Sequence, residues 1–250
     1  MHFINNNNFT FSGRLRFELD KYAEQVYSYK HYSNLRIFLE ILIPFLLVTL
    51  TIQLFLKGPL SWMKFISFPI IFGFIFITQR KLKISLNLQG FKPAHWKKPV
   101  FFLLIPGILI GVGLFVYGLI IGSISDKYHP GLMLYITFIG YPIWGMVQQY
   151  VLLVYLLPRL YHFIKNPYTL IFVMALIFST SHLPNPFLVI LTFPVSILFL
   201  VYFIKYRNLY VQGYVHGFVG SIMKFCLPVD LTLKFWIGNL ISWEAFINYF

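Results

Sequence analysis

Two histidines, His182 and His216, stand inside long apolar segments, and a third such segment carries the pair Gln148-Gln149. Imidazole can move a proton, donate to an oxyanion or ligate a metal near neutral pH. An ionisable group at membrane depth is costly enough to mark a functional site by default. Glutamine copies the shape of glutamate and orients water through its carbonyl oxygen, but it accepts no proton at neutral pH. The chemistry on offer is that of a hydrolytic site without its carboxylate. Glu18, Asp20, Glu24, Glu40, Asp126, Asp230 and Glu244 all fall in loops, termini or the first apolar helix, where none readily replaces it.

The neighbours of these residues say how they are held. Gly140, Tyr141 and Pro142 precede Trp144, Gly145 and the glutamine pair, and the proline removes a backbone donor and permits a kink near the membrane interior. Phe178-Ser-Thr-Ser-His182-Leu-Pro184-Asn185-Pro186-Phe187 ends one helix at its histidine and turns directly into the next. His216 is followed one turn later by Gly220. A lone intramembrane His or Gln serves equally well to bond a neighbouring helix. Three such positions on consecutive helices favour convergence of Gln148, Gln149, His182 and His216 on one cavity.

The elements that must position them are membrane helices. The 250 residues are 58% hydrophobic, 20% aromatic and 11% charged, more apolar surface than a globular domain can bury. Apolar runs fall at Ile37–Leu56, Phe65–Thr78, Val100–Gly122, Leu132–Leu157, Tyr168–Ser181, Phe187–Ile204 and Leu209–Cys226, and a hydrocarbon core needs about 20 residues of helix. The fold class is therefore all-α, a polytopic helix bundle of about seven spans. The net charge of +13 follows the loops and so does not point to nucleic acid. With the N-terminus cytoplasmic, 15 of the 20 Lys and Arg residues lie on the inner side, which selects a cell-membrane protein with N-in and C-out. The basic stretch Arg80–Lys98 also suits anionic headgroups of membrane lipid.

Residues 1–36 form a polar cytoplasmic segment, 37–226 the transmembrane domain and 227–250 an interfacial tail. The tail is rich in aromatic residues, and Asp230, Lys234, Asn239 and Glu244 argue against an eighth span within it. Asn5 to Asn8 should fray, whereas Arg14–Tyr29 mixes charged and apolar residues as a surface helix would. No cleavable signal peptide is visible, so the first span is expected to target the chain. Gly90, Pro93 and Pro99 mark Gln79–Pro99 as an ordered connector. The single Cys226 excludes an intrachain disulfide and a cysteine metal cluster, and no fixed-period repeat supports a transporter.

The order Gln148-Gln149, Phe178-x-x-x-His182, His216 resembles the CPBP family, the CAAX-protease and bacteriocin-processing (Abi) intramembrane endopeptidases. The family pattern is Glu-Glu-x-x-x-Arg, Phe-x-x-x-His and His-x-x-x-Asn or Asp on successive helices. The likeness covers roughly Gly140 to Gly220 within a core of about 132–226, and Leu88-Gln89-Gly90-Phe91 resembles the element leading into the following helix. Departures fall at the chemistry: Gln148 and Gln149 replace the glutamates, Leu153 the arginine and Gly220 the Asn or Asp. Arg159, two turns further on, is expected at the inner interface.

The resemblance implies an endopeptidase acting on membrane-associated peptides, such as prenylated C-termini or leader sequences. In it Gln148 or Gln149 would position water while His182 and His216 bind a metal or stabilise the oxyanion. A zinc site remains open, but its ligand set is incomplete, since catalytic zinc usually takes three protein ligands. Loss of the general base costs about 10²- to 10⁴-fold. The expected activity is thus weak, and the alternative is a pseudoprotease that binds a peptide, a lipid or a partner helix.

Overall fold

The computed structural model describes residues 11–26, 32–51, 61–81, 84–94, 96–124 and 130–228. Among the described residues eight helices follow one another: α1 Phe11–Val26, α2 Asn34–Leu50, α3 Lys64–Lys81, α4 Lys97–Ile120, α5 Pro130–Phe163, α6 Pro167–Thr180, α7 Pro186–Tyr206 and α8 Leu209–Cys226. The protein is an all-α membrane bundle. All seven apolar runs fall on helices, although the end of the first reaches residues outside the described set. By length and composition α4, α5 and α7 qualify to cross a bilayer, and α6 is a shorter apolar helix. Large side chains such as Phe101, Leu109, Ile120 and Leu134 face outward, which suits a hydrocarbon solvent. Asn5–Asn8 and the tail from residue 229, where the sequence argues against an eighth span, lie outside the described residues.

Helix starts are set by asparagines. Asn166 Oδ1 accepts from the backbone N–H groups of Tyr168 and Thr169 at 3.0 and 3.1 Å. Asn185 and Asn208 do the same for Leu188 and Val211, each at 3.0 Å. Pro167 and Pro186 occupy the first turns, where no amide donor is needed. These caps, worth about 1 kcal/mol each, fix where α6, α7 and α8 begin and hence where their histidines stand.

Three prolines follow turns of π geometry, whereas Pro44, Pro69 and Pro194 lie in unbroken α-helix. α5 continues through Pro142, but the turn before it widens to π geometry over Ile136–Gly140, closing with Tyr141 N–H to Ile136 C=O. The same occurs ahead of Pro106, where Ile105 N–H bonds Val100 C=O, and ahead of Pro158, where Leu157 N–H bonds Leu152 C=O. A proline ring crowds the carbonyl one turn back, and an i→i+5 turn gives that carbonyl room while keeping the helix continuous. The π turn at Tyr150–Leu156 begins directly after Gln149.

α8 is the central helix, packed between α4 and the Tyr141–Gln149 portion of α5. Close approach to α5 depends on Gly145, Gly213 and Gly217. A Cβ at Gly145 would lie 2.5 Å from Gly213 O, one at Gly213 2.5 Å from Met146 Cα, and one at Gly217 would overlap the Tyr141 carbonyl. Small residues that let backbones touch are the means of tight packing where lipid removes the hydrophobic drive. The remaining core, with Leu153, Leu157, Leu170, Met174, Leu200 and Phe203, joins α5, α6 and α7.

Two polar parts of the chain are drawn into the interior. α1 buries Leu15 and Leu19, and Tyr161 of α5 donates to the Asp20 carboxylate. Arg159, expected at an interface, is 3% exposed inside the protein. Its Nη2 lies 2.9 Å from Glu40 Oε2 of α2, and its Nη1 donates to Gln79 Oε1 of α3 at 3.0 Å and to Tyr155 O at 2.8 Å. Three helices are clasped around one guanidinium.

Candidate functional site

Gln149 is fully buried where α5 meets α8, and its side-chain N–H donates to His216 Nδ1 at 2.7 Å. An amide nitrogen is only a donor, so His216 Nδ1 accepts and its proton sits on Nε2. The other amide atom of Gln149, Oε1, is buried without a hydrogen-bond partner among the described residues. Leaving such a carbonyl unpaired costs about 1–3 kcal/mol.

His182 lies in the turn between α6 and α7, 7% exposed. Its Nδ1 is 2.9 Å from Phe178 O, the carbonyl one turn earlier in α6. A carbonyl only accepts, so His182 carries its proton on Nδ1 and presents a free lone pair at Nε2. The two imidazoles thus have opposite characters: His182 Nε2 accepts and His216 Nε2 donates.

Phe178 joins them. Its ring centroid is 5.0 Å from His182 and 5.4 Å from His216, edge-on to both, while Phe199 covers His216 at 6.0 Å. The Phe-x-x-x-His spacing therefore has a physical basis. One helical turn lets the phenylalanine carbonyl hold the first histidine while its ring packs between both. Phe178 belongs to the sequence motif, and its place between the two imidazoles follows from the fold.

Gln148 stands apart. Neighbouring positions on a helix point about 100° apart. Gln148 is half-buried and hydrogen-bonds to neither histidine. Of the four candidate residues, Gln149 bonds His216, and Phe178 packs against both His216 and His182. At Gly220 an added Cβ would meet nothing within 4 Å, so the position that lacks the family's Asn or Asp has room for one.

The donor set does not suit a catalytic metal. Among the described residues no three His, Cys, Asp or Glu side chains stand together, and His216 Nδ1 is already engaged by Gln149. Two imidazoles fall short of the three protein ligands that a catalytic zinc usually takes. Glu40, a buried carboxylate of α2, is held by Arg159 and by Arg36 at 3.3 Å. Arg159 itself lies ten residues beyond Gln149, about 15 Å along α5.

Beside the glutamine pair, Met146, Val147 and Tyr150 line a cleft of about 650 Å³ that α3 and the connector close with Phe72, Ile84 and Phe91. Its surface is mostly apolar, and Gln79, Arg80 and Gln89 supply the polar groups.

Residues 129–222 match the family model described as type II CAAX prenyl endopeptidase, Rce1-like. No curated protein and no solved structure matches the chain. The matched segment contains the glutamine pair, both histidines, Phe178 and Gly220. Over residues 129–222 the chain is therefore similar to the CAAX-protease (CPBP) family.

Proposed function

We propose that the chain receives a membrane-anchored, lipid-modified peptide and hydrolyses it weakly, with Gln149, His182 and His216 as the working groups. The observation that carries this reading is the part-buried Gln149–His216 hydrogen bond, inside the matched segment, with the buried Gln149 Oε1 left unpaired among the described residues. A water bound at that oxygen would be oriented. His182 Nε2 would accept from the water, and His216 Nε2–H would donate to the oxyanion that forms on the scissile carbonyl. The apolar cleft next to Met146 and Tyr150 has the size and lining for a prenyl chain, with Arg80 available to a peptide carboxylate.

Gln149 takes no proton from water, which limits the rate and favours a second reading, a family member that binds the peptide without cutting it. In either case the protein would sit as seven spans with the N-terminus inside. Residues 1–36 would be cytoplasmic, the CPBP-like core would span 132–226 and the tail 227–250 would lie at the outer interface.

The test is cleavage of a farnesylated C-a-a-X peptide in proteoliposomes by the unmodified chain, by Gln148→Glu/Gln149→Glu and by His182→Ala. Restored glutamates should raise the rate by about 10²- to 10⁴-fold. Robust cleavage by the unmodified chain that is lost in His182→Ala would show another catalytic route. No cleavage after restoration would favour the binding reading, with Leu153 and Gly220 as further losses.

A further inference from the structure

A second concavity, about 450 Å³, lies at the end of the bundle where α7 passes into α8. Lys21 of α1, Lys92 of the connector, Lys205 from the last turn of α7 and Arg207 of the junction line it together with the single carboxylate of Glu18. Ser85 and Asn87 add hydrogen-bonding groups. The C-terminal carbonyls of α7 account for cations at Lys205 and Arg207. They do not account for Lys21 and Lys92, which two other elements bring to the same hollow. Like charges gathered in one concavity repel, and a bound anion reverses that cost.

The hollow is also held in shape. Arg207 adopts a left-handed backbone, φ 46° and ψ 50°, a conformation that a non-glycine residue keeps only when its surroundings impose it. Gly90 provides the imposition. Its carbonyl accepts from Leu209 N–H at 3.2 Å. With φ +80°, it approaches so closely that a Cβ would lie 2.9 Å from Leu209 N and 3.1 Å from Arg207 O. The guanidinium reaches Glu18 O at 3.4 Å and lies over the Phe203 ring.

We propose that this hollow binds a phosphate group, presented by an anionic lipid headgroup. Phosphate is the anion that Lys and Arg converging from several elements recognise best. A lipid is favoured over a soluble phosphate by what lies across the same connector. Ser85, Asn87 and Lys92 face the basic hollow, whereas Ile84, Leu86 and Phe91 line the apolar cleft. Hydrocarbon and cations are separated by a single loop, as tail and headgroup are in a bilayer. The proposal does not depend on whether the chain cuts peptides.

The experiment uses the full chain in detergent and reads binding of phosphatidylglycerol against phosphatidylcholine, each supplied as mixed micelles. Lys92→Gln/Lys205→Gln removes two exposed hollow lysines, and Lys97→Gln/Lys98→Gln removes two exposed lysines outside it. The hollow variant should lose its preference for phosphatidylglycerol by about fivefold per lysine, while the control pair keeps most of it. Unchanged phosphatidylcholine binding reports an intact fold, and Lys21→Gln serves as a second variant if the pair misfolds. Equal losses in the hollow and control variants would reduce the effect to general surface charge and overturn the site. So would no loss in the hollow variant. Full displacement of phosphatidylglycerol by millimolar inorganic phosphate would assign the hollow to a soluble phosphate and overturn the lipid source.

Discussion

α5 carries two buried polar clusters about 15 Å apart, and they are built on opposite terms. At its C-terminal end Arg159 is matched by Glu40, Gln79 and the Tyr155 carbonyl, with the Tyr155 ring 3.7 Å beneath the guanidinium. Tyr155 in turn donates to Glu40 O at 2.7 Å. The charges there are paired. At Gln149 the groups are neutral, held by a single side-chain hydrogen bond to His216, and one buried oxygen is left over. A charge-matched clasp ties helices together. A neutral cluster with an open acceptor and two imidazoles of opposite polarity is arranged to engage something that the fold does not supply.

The difference can be broken most severely at the clasp. Arg159→Met strands Glu40 in the interior with only the half-exposed Arg36 for company. Removing one partner of a buried pair costs about 3–5 kcal/mol, read as a lowered thermal midpoint in detergent. Glu40→Met/Arg159→Met should recover most of that loss. A double variant no better than the single would mean that the clasp is not a paired unit.

Next in size is the helix crossing that brings Gln149 to His216. Gly217→Ala forces a Cβ into the Tyr141 carbonyl and Pro142 nitrogen, which are backbone atoms and cannot swing aside. Overpacking of this kind costs about 1–3 kcal/mol, and folded yield and thermal midpoint should both fall. At the site itself His216→Ala leaves the Gln149 amide wholly unpaired at about 1–3 kcal/mol. Adding Gln149→Leu should restore much of it, because an apolar pair has no unmet polar atom.

The smallest effect is expected at Gly220→Ala. Open space surrounds the new methyl, and helix propensity alone stabilises by up to about 1 kcal/mol. A clear destabilisation there would contradict the assignment of Gly220 to an open face.

Much of this was legible from residue types. The seven apolar runs give seven helices because apolar periodicity and length survive any packing arrangement, and Phe178-x-x-x-His182 with His216 marks the site because polar groups are rare in such runs. Other features depend on what meets what. Glu40 and Arg159 are separated by 119 residues, and nothing local at either one announces the other. Gln148 and Gln149 are chemically identical, and only the direction each takes from α5 separates the one bonded to His216 from its neighbour. Three further signals are present in the sequence. Pro106, Pro142 and Pro158 each follow a π turn, and Asn166-Pro167 and Asn185-Pro186 are cap-and-first-turn pairs. The glycines of α5 and α8 are likewise spaced for close approach, with Gly213 and Gly217 one turn apart.

The account rests on Gln149 as the member of the pair that faces the histidines. The most direct measurement compares Gln149→Glu with Gln148→Glu, singly, for cleavage of a farnesylated peptide in proteoliposomes, with His182→Ala introduced into each. The account predicts that Gln149→Glu alone gains most of the restored activity, that Gln148→Glu gains little, and that His182→Ala removes the gain. Activity restored by Gln148→Glu but not by Gln149→Glu would contradict it, as would a gain at Gln149 that persists without His182.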